Sequence, residues 1–311
     1  DIRWEETRKF EVAIELGFID DRILLESSWY RNKTSNQLVD YNMPYTTGFS
    51  SLFLNFPATV ENTGLEFSLK TNNVKNAFFQ WSTFFNLSLP KNKLVAFDGI
   101  EETPYATTYK VGEPLSIQYL YTWDGVNPDT GEHQLKDITG DGLIDENDRK
   151  FMSPIGTKFH GGLQNEITYK NFNLSFLVQV SNAMNFGHLS TSPPGGRRNE
   201  ERGVLKRWKN PGDQTDVAKF NGAGFDETYN KVLISDHNVK NVLFARLKTL
   251  TVSYSLPVNL LNKIHAKKAS IFLQGQNLFT ITNNYDMVLD PETMNSLPQL
   301  RMWNFGIQLK L

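Results

Sequence analysis

The 311-residue sequence contains no cysteine, so neither a disulfide framework nor a thiol metal site can form. The formal net charge is only −2, which gives no electrostatic basis for binding nucleic acid. No apolar run reaches the length of about 18 residues that a membrane helix needs. A transmembrane β-barrel is compatible with this observation, because the alternating apolar and polar residues of its strands average out in a hydropathy window. Aromatic residues are plentiful at 13%, and many stand in alternating patterns.

Alternation of apolar and polar residues dominates the sequence and predicts β-strands. In 171–180, for example, Leu174 and Phe176 alternate with Asn173 and Ser175. Most of these runs approach the length of about 9–11 residues that a tilted strand needs to cross a bilayer. Strands of soluble proteins are usually shorter, about 5–6 residues. The predicted crossing strands are 7–19, 22–32, 63–71, 78–89, 160–170, 171–180, 249–256, 268–278 and 303–311.

Long and short connections alternate between these strands. Outer-membrane barrels have short periplasmic turns and long external loops, so the pattern predicts an all-β fold, an antiparallel transmembrane β-barrel segment. A further candidate strand, 117–123, would break the alternation, and we assign it to an extracellular excursion covering 90–160. Closed single-chain barrels of bacteria have even strand numbers. With an odd number of crossing strands, we expect residues 1–311 to be the carboxyl-terminal part of a larger barrel. The long connections cover roughly 33–62, 90–160, 182–242 and 279–299.

The segment 137–148 has the ligand spacing of a calcium loop. Oxygen-bearing side chains occupy loop positions 1, 3, 5, 9 and 12, Gly142 stands at the sharp turn in position 6, and position 7 offers a carbonyl. Ca²⁺ is the expected ion, and Mg²⁺ is the alternative ion because Asp148 is shorter than the usual glutamate. The other interpretation is an acidic turn without a metal. We expect a bound ion to brace an external loop. The candidate ligands are Asp137, Thr139, Asp141, Leu143, Asp145 and Asp148.

The sequence gives little support to an enzyme. Its five histidines lack the spacing of metal ligands. Neighbouring acids such as Glu101 and Glu102 point to opposite faces if they lie on a strand, so they do not converge. We find no nucleophile elbow, phosphate loop or catalytic triad order. An alternative that keeps the alternation and the acidic loop is a soluble calcium-binding β-sandwich that binds glycans at the cell surface.

Eight short motifs occur in order along almost the whole chain. They include Val-Glu-Asn-Thr-Gly-Leu-Glu-Phe at 60–67, Gly-Gly-Leu-Gln-Asn at 161–165 and Arg-Trp-Lys-Asn-Pro-Gly-Asp at 207–213. Leu-Lys-Thr-Leu-Thr-Val-Ser-Tyr-Ser-Leu-Pro follows at 247–257, and Gln-Asn-Leu-Phe-Thr at 276–280. Together these motifs resemble the carboxyl-terminal third of SusC/RagA-type TonB-dependent outer-membrane transporters of Bacteroidetes.

The resemblance implies a 22-stranded barrel in the outer membrane with an amino-terminal plug. It also implies contact with TonB through that amino-terminal part, and a SusD-like surface lipoprotein acting as a lid. The cargo would be oligosaccharides or oligopeptides, and the surrounding phase would be outer-membrane lipid. Four aromatic residues in predicted external loops are candidate contacts for cargo or lid, with internal loop packing as the alternative. They are Trp123, Trp208, Tyr229 and Tyr285.

Overall fold

A computed structural model gives the fold of the chain. It describes residues 3–42, 46, 48, 50–187, 189, 193–196, 199–200, 202–222, 226–283, 290–294 and 296–310. The first strands are β1 (Glu6–Phe18), β2 (Ile23–Asn42), β3 (Ser51–Lys75), β4 (Phe79–Phe97), β5 (Ile117–Leu120), β6 (Trp123–Val126), β7 (His133–Leu135) and β8 (Phe151–Pro154). The later strands are β9 (Gly156–Tyr169), β10 (Phe172–Phe186), β11 (Val239–Ser255), β12 (Lys268–Thr282) and β13 (Met302–Lys310). Two short helices are α1 (Glu227–Leu233) and α2 (Val258–Lys263).

The long strands join one nine-stranded sheet in the order β1-β2-β3-β4-β9-β10-β11-β12-β13. Every neighbouring pair in this sheet is antiparallel. The nine strands are those expected from the alternation, so the predicted fold class is confirmed. A β-sandwich divides its strands between two packed sheets. The sandwich alternative is therefore wrong, because all the long strands belong to a single sheet.

Apolar side chains of neighbouring strands stand directly opposite one another and form a belt on one side of the sheet, here called the apolar face. Because side chains alternate along a strand, paired residues share a face. Many members of this face are exposed, among them Ile14, Leu273 and Phe305. One continuous row runs through Leu16, Leu25, Leu69, Phe85, Leu163, Val178, Leu247 and Phe279.

The opposite side of the sheet, here called the polar face, carries mainly hydrogen-bonding and charged side chains. Its residues also stand opposite one another across the strands, so the separation of apolar from polar residues holds across the sheet. This two-sided arrangement is what alternation predicts when one face meets an apolar phase and the other meets water. One continuous row runs through Glu15, Glu26, Ser68, Asn86, Gly162, Gln179, Arg246 and Thr280.

The strands are longer than their alternation predicts, and one predicted connection is wrong. Residues 33–62 were expected to be a long connection, but β2 continues to Asn42 and β3 begins at Ser51. Strand pairing depends on backbone hydrogen bonds, which continue between neighbouring strands after the apolar pattern has ended. The turns between β1 and β2, β3 and β4, and β9 and β10 are short, as expected.

The segment between β4 and β9 builds small structures outside the large sheet. β5 pairs with β8, and β6 pairs with β7, each in a two-stranded sheet of its own. The candidate strand 117–123 therefore does not join the large sheet, as the sequence predicts. A small core beneath this segment packs Phe56 and Phe97 against Tyr105. No helix in the described ranges has the length and apolar character to cross a membrane.

Candidate functional site

The 137–148 loop, named the acidic loop, is organised around two aspartates. The first is Asp137, whose Oδ1 accepts a hydrogen bond from the Gly140 amide at 2.6 Å. Its Oδ2 accepts one from the Gly142 amide at 2.7 Å. Both glycines have positive φ angles, 75° and 84°, so the chain turns sharply where a calcium loop requires it. The turn predicted at Gly142 is thus present.

Asp148, at the other end of the acidic loop, is completely buried. Its Oδ1 accepts hydrogen bonds from the amides of Ile138 at 2.8 Å and Thr139 at 3.0 Å. Its Oδ2 accepts one from the Asp145 amide at 2.9 Å. Asp148 therefore closes the loop by holding its beginning and its end to one carboxylate.

Both aspartates are stabilised in their ionised forms. The backbone N–H groups of Gly142 and Gly140 lower the pKa of Asp137 below its usual value. The N–H groups of Asp145 and Thr139 do the same to the pKa of Asp148. Hydrogen bonds donated to a carboxylate favour its charged form. The acidic loop thus keeps its negative charge at neutral pH.

Among the other predicted ligands, the Thr139 hydroxyl contacts Asp137 Oδ1 at 3.1 Å and Asp148 Oδ1 at 3.2 Å, and Asp145 is half-buried. Asp141 and Leu143 are exposed, and the Leu143 amide donates to Asp141 Oδ1 at 2.9 Å. Asp145 instead accepts a hydrogen bond from the Asn147 amide at 2.7 Å. Within the described ranges, no group of three or more His, Asp or Glu side chains is placed to hold an ion together. A bound ion would have to replace some of these hydrogen bonds, and the metal site stays a prediction.

The acidic loop is attached to helix α1 of the connection between β10 and β11. Lys231 of α1 donates from Nζ to the Ile144 carbonyl at 2.7 Å. The same nitrogen forms an ion pair with Glu227 at 2.7 Å. Hydrogen bonding to Glu227 raises the pKa of Lys231, so this lysine remains charged. The acidic loop therefore braces one long connection against another.

A cluster of four rings joins the same two connections and is here called the loop joint: Trp123, His133, Tyr229 and His237. The Trp123 and His237 rings are tilted by 30° with their centroids 3.9 Å apart, and Trp123 Nε1 donates to His133 Nδ1 at 3.2 Å. The His133 and Tyr229 rings are 5.8 Å apart. The Trp123 amide also donates to Asp236 Oδ1 at 2.8 Å. Residues far apart in sequence thus form one packed unit.

Burial changes the acid–base properties of the loop joint. It lowers the pKa of His237 to about 4, with a smaller contribution from the charge of Lys240. Burial also lowers the pKa of His133. Both imidazoles are therefore neutral at pH 7, as His133 must be to accept the hydrogen bond from Trp123. Burial raises the pKa of Tyr229 to about 12, so its phenol is neutral as well.

The structure gives internal contacts to three of the four candidate aromatic residues. Tyr229 is only 3% exposed. Trp123 is half-buried in the loop joint, and Trp208 is half-buried with its Nε1 donating to the Pro128 carbonyl at 2.7 Å. Tyr285 lies outside the described residues. Their roles as contacts for cargo or lid stay predictions, and for Tyr229 they would require the loop joint to open.

A buried ionic network on the polar face was not foreseen from the sequence. Arg246 of β11 is 2% exposed, and its Nη2 and Nη1 contact Asp290 at 2.6 Å and Glu292 at 2.8 Å. Its Nε donates to Thr280 Oγ1 at 3.0 Å. Lys248 contacts Glu292 at 2.9 Å. An arginine within an alternating strand is the signal available in the sequence, because its two acidic partners lie in the connection after β12, 44 and 46 residues further on.

Sequence comparison finds relatives along the whole chain, although no family model matches it. TonB-dependent receptor P3 of Formosa agariphila is 28% identical over 99% of this chain and 34% of its own length. TonB-dependent receptor SusC of Bacteroides thetaiotaomicron is 24% identical over 100% of this chain and 32% of its own length. The chain is a relative of TonB-dependent receptors. This confirms the resemblance predicted from the sequence.

The fold of this TonB-dependent receptor relative also matches a solved structure. The RagAB peptide importer in its open-open state superposes with a TM-score of 0.81 at 23% identity, over 100% of this chain and 35% of that chain. At this identity the match shows the fold. The chain spans about a third of the length of the curated relatives it matches. The names of these relatives are those of receptors and an importer, and none is that of an enzyme.

Proposed function

We propose that this chain is the carboxyl-terminal part of a TonB-dependent importer in the outer membrane. The observation that carries the proposal is the separation of the nine-stranded sheet into an apolar and a polar face. Exposed apolar side chains on alternate positions of long strands suit contact with lipid, and a polar opposite face suits a water-filled lumen. The apolar face would meet outer-membrane lipid, and the polar face would line the passage.

We further propose nutrient oligomers as the cargo, either oligosaccharides or oligopeptides, taken up with a SusD-like lipoprotein as lid. The relatives support this proposal through SusC, and through the RagAB structure, whose description is that of a peptide importer. TonB would act through the amino-terminal part of the protein. The external unit of 90–160, together with the connection between β10 and β11, would form the mouth beneath the lid.

A fractionation and uptake experiment on the full-length protein tests this function. We expect it to sediment with outer membranes and to require detergent for extraction. Uptake of fluorescent malto-oligosaccharides or of a labelled tryptic peptide mixture should be lost when TonB is deleted. A protein that stays in aqueous solution without detergent, or uptake that is indifferent to TonB, would contradict the proposal.

For the acidic loop we propose Ca²⁺ as the bound ion, held by Asp137, Thr139, Asp141, Asp145, Asp148 and the Leu143 carbonyl. Support comes from the hard oxygen donors at calcium-loop spacing and from the sharp turn at Gly142. The ion would stabilise a loop that already contacts α1 through Lys231.

Calorimetric titration of the full-length protein with Ca²⁺, and separately with Mg²⁺, tests the ion. We expect heat of binding for Ca²⁺ that disappears in the double variant Asp137→Asn/Asp148→Asn. Asp129→Asn, an exposed aspartate outside the acidic loop, is the matched control and should bind as the parent does. Equal heats in the parent and in the double variant would refute the site, and binding of Mg²⁺ alone would change the ion.

A further inference from the structure

Described residues of the connection between β12 and β13 contact the polar face of the sheet. The part that makes the contact is here called the strap, residues 290–294 and 296–299. Asp290 and Glu292 reach Arg246 at 2.6 and 2.8 Å. Gln299 accepts a hydrogen bond from Lys248 Nζ at 3.0 Å. The strap therefore contacts the polar face of the sheet through charged and polar groups.

A turn within the strap directs Asp290 toward the polar face of the sheet. Asp290 is buried, and its Oδ1 accepts hydrogen bonds from the amides of Glu292 at 2.9 Å and Thr293 at 3.1 Å. Asp290 and Met294 close the turn through paired backbone hydrogen bonds. The other carboxylate oxygen is left to contact Arg246. The turn thus holds the Asp290 carboxylate in the orientation that contacts Arg246.

The polar face of the sheet is irregular where it meets the strap. The register of β11 shifts between Leu247 and Thr249 against β12, and opposite Leu177 and Val178 against β10. Lys248 is therefore an extra residue against β10, whereas against β12 it stands opposite two residues, Asn277 and Leu278, so the bulge on that side belongs to β12. Such bulges redirect side chains and are treated as built features of a sheet. Here the bulge lies beside Arg246 and places two cations against the strap.

Apolar burial contributes little to holding the strap. Leu297 and Leu300, which could have packed inward, are 86% and 78% exposed. Buried ion pairs add little net stability over apolar packing, because removing the charges from water offsets their attraction. Their geometry is nevertheless specific, and losing one partner leaves the other charge buried and unpaired. A contact of this kind can separate as a unit while the sheet remains intact.

We propose that the strap is a releasable latch on the polar face, held by the Arg246–Asp290–Glu292–Lys248 network. In the latched state it covers Arg246 and Lys248. In the released state these two cations face the space in front of the sheet. Glu292 is the common partner of both cations, so its contacts set the balance between the two states.

Distance measurement between two spin labels on the full-length protein in lipid vesicles tests the latch. Residues 1–311 contain no cysteine, so Leu297→Cys on the strap and Ile307→Cys on β13 give two labelling sites once any cysteine elsewhere in the full-length protein has been replaced by serine. Both residues are exposed, which keeps the labels away from the network. The parent should show one dominant distance. In Glu292→Gln the population with a second distance should rise about tenfold or more relative to the population with the first, as expected for the loss of a charge-assisted contact.

Glu166→Gln is the matched control, because it removes another carboxylate of the polar face and should leave the distances unchanged. Gln299→Ala removes only one contact of Lys248, so the population with the second distance should rise by a smaller factor. If Glu292→Gln fails to assemble, Gln299→Ala alone tests whether the strap is released. Identical distances in the parent and both strap variants would overturn the proposal, as would unfolding of the sheet whenever the strap separates. The readout requires no transport, so it stands apart from the test of import.

Discussion

The Tyr30 side chain of β2 lies directly over Gly64 of β3, its Cα partner in the sheet. A Cβ atom added at Gly64 would stand 2.5 Å from the Tyr30 hydroxyl oxygen. Glycine at this position lets an aromatic ring cover the neighbouring strand on the polar face. The pair shows how the sheet accommodates a large side chain without pushing its strands apart.

Gly64→Ala should therefore destabilise the sheet by about 1–3 kcal/mol, the usual cost of overpacking. The same change at Gly162, where the nearest atom would be 3.4 Å away, should cost less. Unfolding in denaturant, followed in lipid vesicles, measures both. Adding Tyr30→Ala to Gly64→Ala should recover part of the loss. Equal costs at the two glycines would show that close approach of the ring is not what Gly64 provides.

The two faces of the sheet should differ in how much stability a new charge costs. Phe176 belongs to the apolar face, opposite Leu250, whereas the preceding Ser175 lies on the polar face opposite Glu166. Phe176→Arg should cost about 2–4 kcal/mol near the bilayer midplane. Ser175→Arg should cost less than about 1 kcal/mol, because its charge faces water and Glu166. Refolding titrations into vesicles compare the two, and similar costs would argue against a lipid-facing belt.

The sheet could be predicted from the sequence because its signal is local. Leu174 and Phe176 alternate with polar neighbours, and that period alone places a strand and assigns its faces. The ends of the strands could not be predicted. β2 extends to Asn42 because backbone pairing with β3 continues where the side chains no longer alternate.

The site was predicted only where its residues are close in sequence. The turn at Gly142 followed from the spacing within 137–148. The contact of Trp123 with His237 depends on two connections meeting, and the pairing of Arg246 with Asp290 depends on a connection meeting a strand. A single sequence carries no periodicity for such contacts, so it does not reveal which partners meet.

The acidic loop should open in acid. The folded loop lowers the pKa of Asp137 and Asp148 below their usual value of 3.8, so the opened loop binds protons more readily. Its stability is complete above that value and is lost as pH falls through the lower folded pKa values. Pepsin cleavage near exposed Leu143 should therefore accelerate as pH is lowered from 4 toward 2.

Asp148→Asn separates this effect from general acid unfolding. The variant lacks one of the two titrating carboxylates, so its acidic loop should already be cleaved faster at pH 4 and should change less on further acidification. Asp129→Asn, outside the loop, should follow the parent. A cleavage rate at Leu143 that does not depend on pH, after correction for the activity of pepsin on an unfolded peptide, would refute the expected linkage.

The loop joint should loosen over a higher pH range. His237 has a folded pKa of about 4 against a usual value of 6.5, so opening takes up a proton between those values. The stability of the joint is greatest above pH 6.5 and falls as pH is lowered toward 4. Hydrogen exchange should show this in the Tyr121 and Trp123 amides, which donate to the Ile234 carbonyl and Asp236.

The variant His237→Phe tests whether that histidine carries the effect. Phenylalanine keeps a ring against Trp123 but cannot be protonated, so the Trp123 amide should exchange with a weaker dependence on pH. The remaining dependence should come from His133, which also has a lowered pKa. Charges facing His237 are those of Lys240, Asp216 and Asp236, and they stay in place in the variant. If the parent and the variant lose protection equally between pH 7 and pH 5, after correction for intrinsic exchange, His237 does not control the joint.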